Sequence, residues 1–283
     1  MDVPVVASMH TRFETYFSYY GLGMLRAWAW NVQRRFYLDS DRILVPNEPS
    51  KWHLMDMGVP SDRIRIWGRG IDSRIFSPRA RHCAWRRAAG YSDADIVVCF
   101  FGRLVREKGI ECFIQTIREL RSRGQLVRPL VIGDGPEFHR MQAELGEAVF
   151  TGHLEGVALG RAVASADILL NPSLTEAFGN VNLEAMAAGL AVVSADAESA
   201  RAIITDGQDG LLCTPRPSDF VDAIEKLMRE PAMSGRIRAA AARTAARFRW
   251  HDALDSVVRD YRELLVSPNS ERIGLATALG EMP

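Results

Sequence analysis

The run IVVCFF, Ile96 to Phe101, ends at Gly102 and leads straight into helical spacing. It reads as a buried strand. Residues 110 to 123 then place Ile110, Phe113, Ile114, Ile117 and Leu120 on one helical face. The alternation repeats. PLVI is the next strand, followed by GDGP and a helix through Met141. VFT, a helix from about Val157 to Ser165, ILLN, a helix from Val181, AVVS and a helix near Ala200 follow in turn. Single apolar runs flanked by helices predict a parallel sheet covered on both faces. Such a doubly wound domain takes its ligands at the carboxyl ends of its strands.

The residues able to do chemistry fall at those ends. GRLVREKG, from Gly102, puts Arg103 and Lys108 in one strand-to-helix loop. Both can converge on one anion, Arg as a planar fork and Lys as a point charge. In the later run TEAFGNVNLEAMAAG, Glu176 and Glu184 lie eight residues apart. The permissive pair Gly179 and Asn180 precedes an apolar run, Val181 to Ala188, that stops at Gly189. This predicts a loop, an Asn180 N-cap, a short helix with Glu184 in its first turn, and a glycine C-cap. The unpaired N–H groups opening that helix favour anionic oxygens. Any one of these charges alone is compatible with a solvated surface position. Together they suit a sugar nucleotide, with the cations on a diphosphate and the carboxylates on hydroxyls, Glu184 placed for the ribose and Glu176 for the sugar.

GRLVREKG, VIGDGPEF, AVFTGHL, ADILLNPS and TEAFGNVNLEAMAAGLAVV together resemble glycosyltransferase family 4, retaining enzymes of two-domain GT-B architecture. HTRFETYFSYYGLG and IWGRGID narrow the likeness to the branch holding sulfoquinovosyl-diacylglycerol synthases and GDP-mannose-dependent α-mannosyltransferases. The resemblance implies a hexosyltransferase that needs no metal or other cofactor. It implies a nucleotide-sugar donor and a lipid or lipid-linked acceptor. Arg103 and Lys108 would stabilise the departing diphosphate, an electrostatic role aimed at charge that grows in the transition state. His10, which by itself is an ordinary strand-end loop residue, would hydrogen-bond the donor sugar without acting as a general base. Donor contacts would run along Gly102, Gly133, Asp134, His153, Phe178, Gly179, Asn180, Val181 and Glu184, with Glu176 at the reacting sugar. A rival from another class is a non-catalytic, truncated nucleotide-sugar-binding fragment.

Composition removes other classes. Lys plus Arg and Asp plus Glu are 35 each, without the basic excess of a general nucleic-acid binder. Cys83, Cys99, Cys112 and Cys213 are scattered without metal-ligand spacing and read as reduced thiols. No apolar run approaches the ~18 residues of a membrane span, which places the chain in the cytoplasm, with the inner membrane face as a further option. GDGP lacks the third glycine of a dinucleotide fingerprint. The Asp39-Ser40-Asp41 triplet spells a metal-binding DxD, but it lies between a helix and strand ILVP, where it reads as a connector.

Residues 1 to 72 are expected to be the remnant of an acceptor-side domain, since strands PVVASM and ILVP are too few to close a sheet. The fold class is therefore α/β and GT-B-like, with a complete carboxyl-terminal doubly wound domain and a partial amino-terminal Rossmann-like one. Residues 73–248 would hold the nucleotide sugar, 249–266 would form a helix crossing back, and 267–283 a flexible tail. Helix Gly21–Leu38 carries Trp28, Trp30, Arg26, Arg34 and Arg35. Two readings fit it: a basic amphipathic helix on a membrane surface, or a domain helix packing its aromatics inward.

Overall fold

Each apolar run that alternates with an amphipathic helix becomes a parallel strand. The computed structural model describes residues 3–266, and the chain divides into two units, residues 1–70 with 248 onward, and residues 71–247. The first begins with β1 (Val6–Ser8), α1 (Phe13–Tyr16), α2 (Arg26–Leu38), β2 (Arg42–Val45), α3 (Glu48–Asp56) and β3 (Ile64–Ile66). The second runs α4 (Cys83–Ala88), β4 (Ile96–Phe101), α5 (Ile110–Ser122), β5 (Val127–Ile132), α6 (Phe138–Glu144) and β6 (Val149–Phe150). It continues with α7 (Gly156–Ala164), β7 (Ile168–Asn171), α8 (Asn180–Ala187), β8 (Ala191–Ala195) and α9 (Glu198–Arg201). After β9 (Leu211–Cys213) come α10 (Pro217–Arg229) and α11 (Pro231–Ala245), and α12 (Trp250–Val266) belongs again to the first unit.

The second unit's sheet has the order β6-β5-β4-β7-β8-β9, with every neighbouring pair parallel. The chain builds outward from β4 to β6, returns to the other side of β4 for β7, and builds the opposite way. That reversal makes a switch point between β4 and β7, where a crevice opens outside the strand ends. Burial explains why β4 is central, since Val97, Val98 and Cys99 are wholly inaccessible. The predicted α5 stripe of Ile110, Phe113, Ile114, Ile117 and Leu120 is buried in one core with Phe220, Ile224 and Leu227 of α10. Full burial of each such side chain contributes about 1.5–3 kcal/mol.

The first unit carries a parallel sheet β1-β2-β3 over its own core of Met9, Tyr37, Ile43, Val45, Leu54, Met57 and Ile64. Asp260 of α12 pairs with Arg42 at 3.5 Å and Arg65 at 3.6 Å. The triplet 39–41 is the turn between α2 and β2: Ser40 Oγ donates to the Phe36 carbonyl at 3.0 Å and Asp41 accepts the Val5 N–H at 2.8 Å. The two tryptophans of α2 divide. Trp30 meets the edge of His53 at 5.1 Å, whereas Trp28 is 62% exposed.

Several boundaries differ from expectation. The helix expected from Gly21 begins at Arg26, after short 3-10 turns. β3 and β9 were not foreseen, because three-residue strands broken by an arginine or ending in a cysteine carry no clear period. The proposed tail, 267–283, lies outside the described residues.

Candidate active site

Two loops meet at the switch point because β4 and β7 are neighbours. The loop after β4 runs through Gly102 and Arg103 to a single 3-10 turn, Arg106–Lys108. The loop after β7 carries Thr175 and Glu176. Lys108 Nζ donates to Glu176 Oε1, and the two side chains are only 17% and 16% exposed. The loops are also tied by Thr175 Oγ1, which donates to the Glu107 carbonyl at 3.2 Å. Arg103, by contrast, is exposed and has no ion pair among the described residues. The site thus combines one neutralised cation with one solvated cation.

Helix α8 opens beside these loops, and its start corrects the expected cap. Asn180 is the first helical residue, and Gly179, at φ 92°, occupies the cap position. A side chain is strained in that left-handed region, so glycine and not asparagine lets the chain turn into the helix. The N–H groups of Asn182 and Leu183 fold back on the Gly179 carbonyl at 3.0 and 3.3 Å. Val181 approaches the end of β4: a Cβ at Gly102 would lie 3.8 Å from its methyl. Phe178 is buried and Asn180 exposed. Gly189 closes α8 with φ 84°, as expected.

Glu184 falls in the second turn of α8, not the first. Its carboxyl pKa is raised to about 7, chiefly by burial and secondly by the charge of Glu176. Near neutral pH this group titrates, while its neighbour is held by Lys108. Beneath α8, Asn171 Nδ2 donates to Asn182 Oδ1 at 2.9 Å, and Asn182 Nδ2 donates to Ser194 Oγ at 3.1 Å. All three side chains are buried. This chain of amides joins the ends of β7 and β8 to the first turn of α8. Sequence reading missed it, although a buried polar residue on the inward face of an apolar helix was the available signal.

The GDGP loop follows β5. Gly133 packs so closely on β4's exit that a Cβ would lie 2.0 Å from the Gly102 carbonyl oxygen. Asp134 is exposed, and its carboxylate takes the Gly135 N–H at 2.7 Å. Pro136 stands two residues ahead of α6, which starts at Phe138. His153 is exposed and pairs with Glu155 at 2.9 Å. In the other unit, His10 follows β1, and its Nδ1 lies 2.6 Å from an Arg69 guanidinium nitrogen. The strand ends of unit 71–247 therefore gather Gly102, Arg103, Lys108, Glu176, Gly179, Val181 and Glu184 in one neighbourhood.

Both units have counterparts among known protein families. Residues 95–230 match the family described as Glycosyl transferases group 1, and residues 1–74 match Glycosyltransferase Family 4. The chain belongs to glycosyltransferase family 4. A GDP-mannose-dependent alpha-mannosyltransferase of Mycobacterium tuberculosis is 33% identical over 75% of this chain and 54% of its own length. Sulfoquinovosyl transferase SQD2 of Arabidopsis thaliana is 30% identical over 80% of this chain and 45% of its own. The chain spans about half the length of these curated relatives. The crystal structure of Anabaena Alr3699/HepE with UDP and glucose matches with TM-score 0.76 at 22% identity, over 92% of this chain and 72% of that one. The family 4 chain thus has the α/β, GT-B-like fold expected of it. Among the described residues, no helix is long and apolar enough to cross a membrane.

Proposed function

We propose that this family 4 chain is a retaining hexosyltransferase using a nucleoside diphosphate sugar, GDP-mannose ahead of a UDP-sugar. The observation carrying this reading is the meeting of Lys108, Glu176 and the opening of α8 at one switch point. A donor diphosphate entering there competes with Glu176 for Lys108 and also meets Arg103 and the first N–H groups of α8. Released from Lys108, Glu176 turns to the sugar, while Glu184 accepts from the ribose. The bond from the anomeric carbon to the diphosphate breaks, and a bond to the acceptor oxygen forms on the same face. The acceptor proton passes to the departing phosphate oxygen. His10 contributes a hydrogen bond to the sugar. The mannosyltransferase relatives at 33%, 32% and 30% identity support GDP-mannose as first choice.

The acceptor in this reading is a lipid or lipid-linked sugar, reached from the cytoplasmic face of a membrane. Met24, Trp28, Val32 and Phe36 stand exposed at four-residue intervals along the surface of α2 and the turn before it. Beside them lies an open groove of about 510 Å³ lined by Gly23, Met24, Arg26, Ala27, Trp30 and Asn31. Tryptophan and arginine on one helix suit a headgroup boundary. Thermal-shift titration of GDP, UDP and their sugars tests the donor half, since bound ligand stabilises by mass action. Stabilisation by nucleoside diphosphates but not by nicotinamide dinucleotides supports it, and no stabilisation by any sugar nucleotide contradicts it. Hexose transfer then separates an enzyme from a binding protein.

A further inference from the structure

The motif IWGRGID has its own structural consequence. Its first residue ends β3, and Trp67 extends the pairing by donating to the Val45 carbonyl at 3.1 Å. Met9 does the same beyond β1, donating to the Leu44 carbonyl at 2.9 Å. His10 and Arg69 are therefore held at the carboxyl ends of β1 and β3. Gly70 fixes the next step, because a Cβ there would lie 2.3 Å from the Trp250 backbone. The Arg69 guanidinium lies 4.6 Å over the Trp67 ring, and the His10 ring meets the same indole edge-on at 5.8 Å. Three side chains thus lock one another.

A guanidinium only donates hydrogen bonds. The His10 nitrogen 2.6 Å from it must therefore be an acceptor, and that nitrogen is Nδ1. We propose that Arg69 is a positioning residue that fixes His10 as the neutral tautomer protonated on Nε2, presenting a single N–H donor away from the cluster. This rests on the reading of His10 as a donor-sugar contact and assigns its chemistry: a hydrogen-bond donor to a sugar oxygen, not a base or a cation. Protonating Nδ1 would break the bond and set two positive groups face to face. Burial, and then the charge of Arg69, lowers the His10 pKa accordingly. Among the described residues Arg69 is the charge acting on His10. Arg12, two positions on, pairs instead with buried Glu14 at 3.3 Å.

Long-range proton–nitrogen spectra of the histidine-labelled full chain test this directly, with His10 assigned by its loss in His10→Gln. Without any donor present, His10 should show a bare Nδ1 and a protonated Nε2 at pH 7, and should titrate below the ordinary histidine range. Arg69→Met should raise its midpoint towards the ordinary histidine range, since the charge that helps lower it is removed, and mix the tautomers. Arg69→Lys should keep the low midpoint, because the charge is retained, while loosening the tautomer. A wild-type His10 protonated on Nδ1, or identical titrations in wild type and Arg69→Met, overturns the proposal. The wild-type tautomer decides the matter even if a variant fails to fold. Sugar transfer by His10→Ala is the separate check on the underlying reading: wild-type turnover there removes the sugar contact while leaving the Arg69 pairing standing.

Discussion

The two units arrange charge at their strand ends in opposite ways. In unit 71–247, the cation Lys108 rests on the carboxylate Glu176, so that cation is satisfied internally before any ligand arrives. In the other unit, Arg69 rests on an imidazole and an indole, with no carboxylate partner among the described residues. In the proposed reading the first arrangement is displaceable, with an incoming diphosphate exchanging one anion for another at Lys108. The second is fixed, since a neutral ring and an aromatic face give the guanidinium nothing to exchange. Under the proposed function, one site is opened by its ligand and the other holds a geometry.

The largest expected effect breaks the displaceable pair. Glu176→Gln should lower turnover at least about tenfold, because a hydrogen bond to the sugar worth ~1.5–3 kcal/mol is lost in the transition state. Nucleoside diphosphate should bind no worse, since Lys108 is then uncontested. Steady-state rates set beside calorimetric affinities check this, and parallel loss of both would end the exchange idea. Asn182→Ala comes next. It strands the Asn171 and Ser194 side chains, costing about 1–3 kcal/mol, and denaturant unfolding of the variant measures it.

A smaller effect concerns Glu184. Its folded pKa of about 7 exceeds the ordinary 4.5. The folded chain therefore holds a proton more tightly than the unfolded chain, and unliganded stability falls as pH rises across that window. If ribose hydroxyls donate to the ionised carboxylate, affinity for free nucleoside should climb as pH rises through 7 and then level off. Titrations repeated at several pH values should give a flat profile for Glu184→Gln; a slope in that variant would move the effect to another group. The smallest expected effect is none: chelators should leave donor binding and transfer unchanged. Restoration of a lost activity by magnesium or manganese would reopen the role of Asp39 and Asp41.

Much of this was legible in the sequence, unevenly. IVVCFF and the α5 stripe specified a buried strand and its covering helix, because both periods are strong. Strand-helix alternation placed Arg103, Lys108 and Glu176 at carboxyl ends of strands, whereas the switch point follows from the strand order. Sequence spacing could not show that Lys108 and Glu176 bond each other, since that depends on β4 and β7 being neighbours across the reversal. It misplaced the cap at Asn180 because Asn and Gly both tolerate left-handed backbone and the two stand side by side. It passed over Arg69 because β3 is three residues long, too short to mark the following loop as a strand end. The amide chain through Asn182 is invisible without the partners, Asn171 and Ser194, that satisfy it.

The central claim, that Lys108 is the cation a donor diphosphate takes from Glu176, is tested most directly by calorimetry on wild type and Lys108→Ala. Each protein is titrated with GDP, UDP and the matching free nucleosides. The account predicts that Lys108→Ala weakens the better-bound diphosphate by roughly ten- to a hundredfold and leaves its nucleoside unchanged. Equal weakening of nucleoside and diphosphate, or no weakening of either, would contradict it.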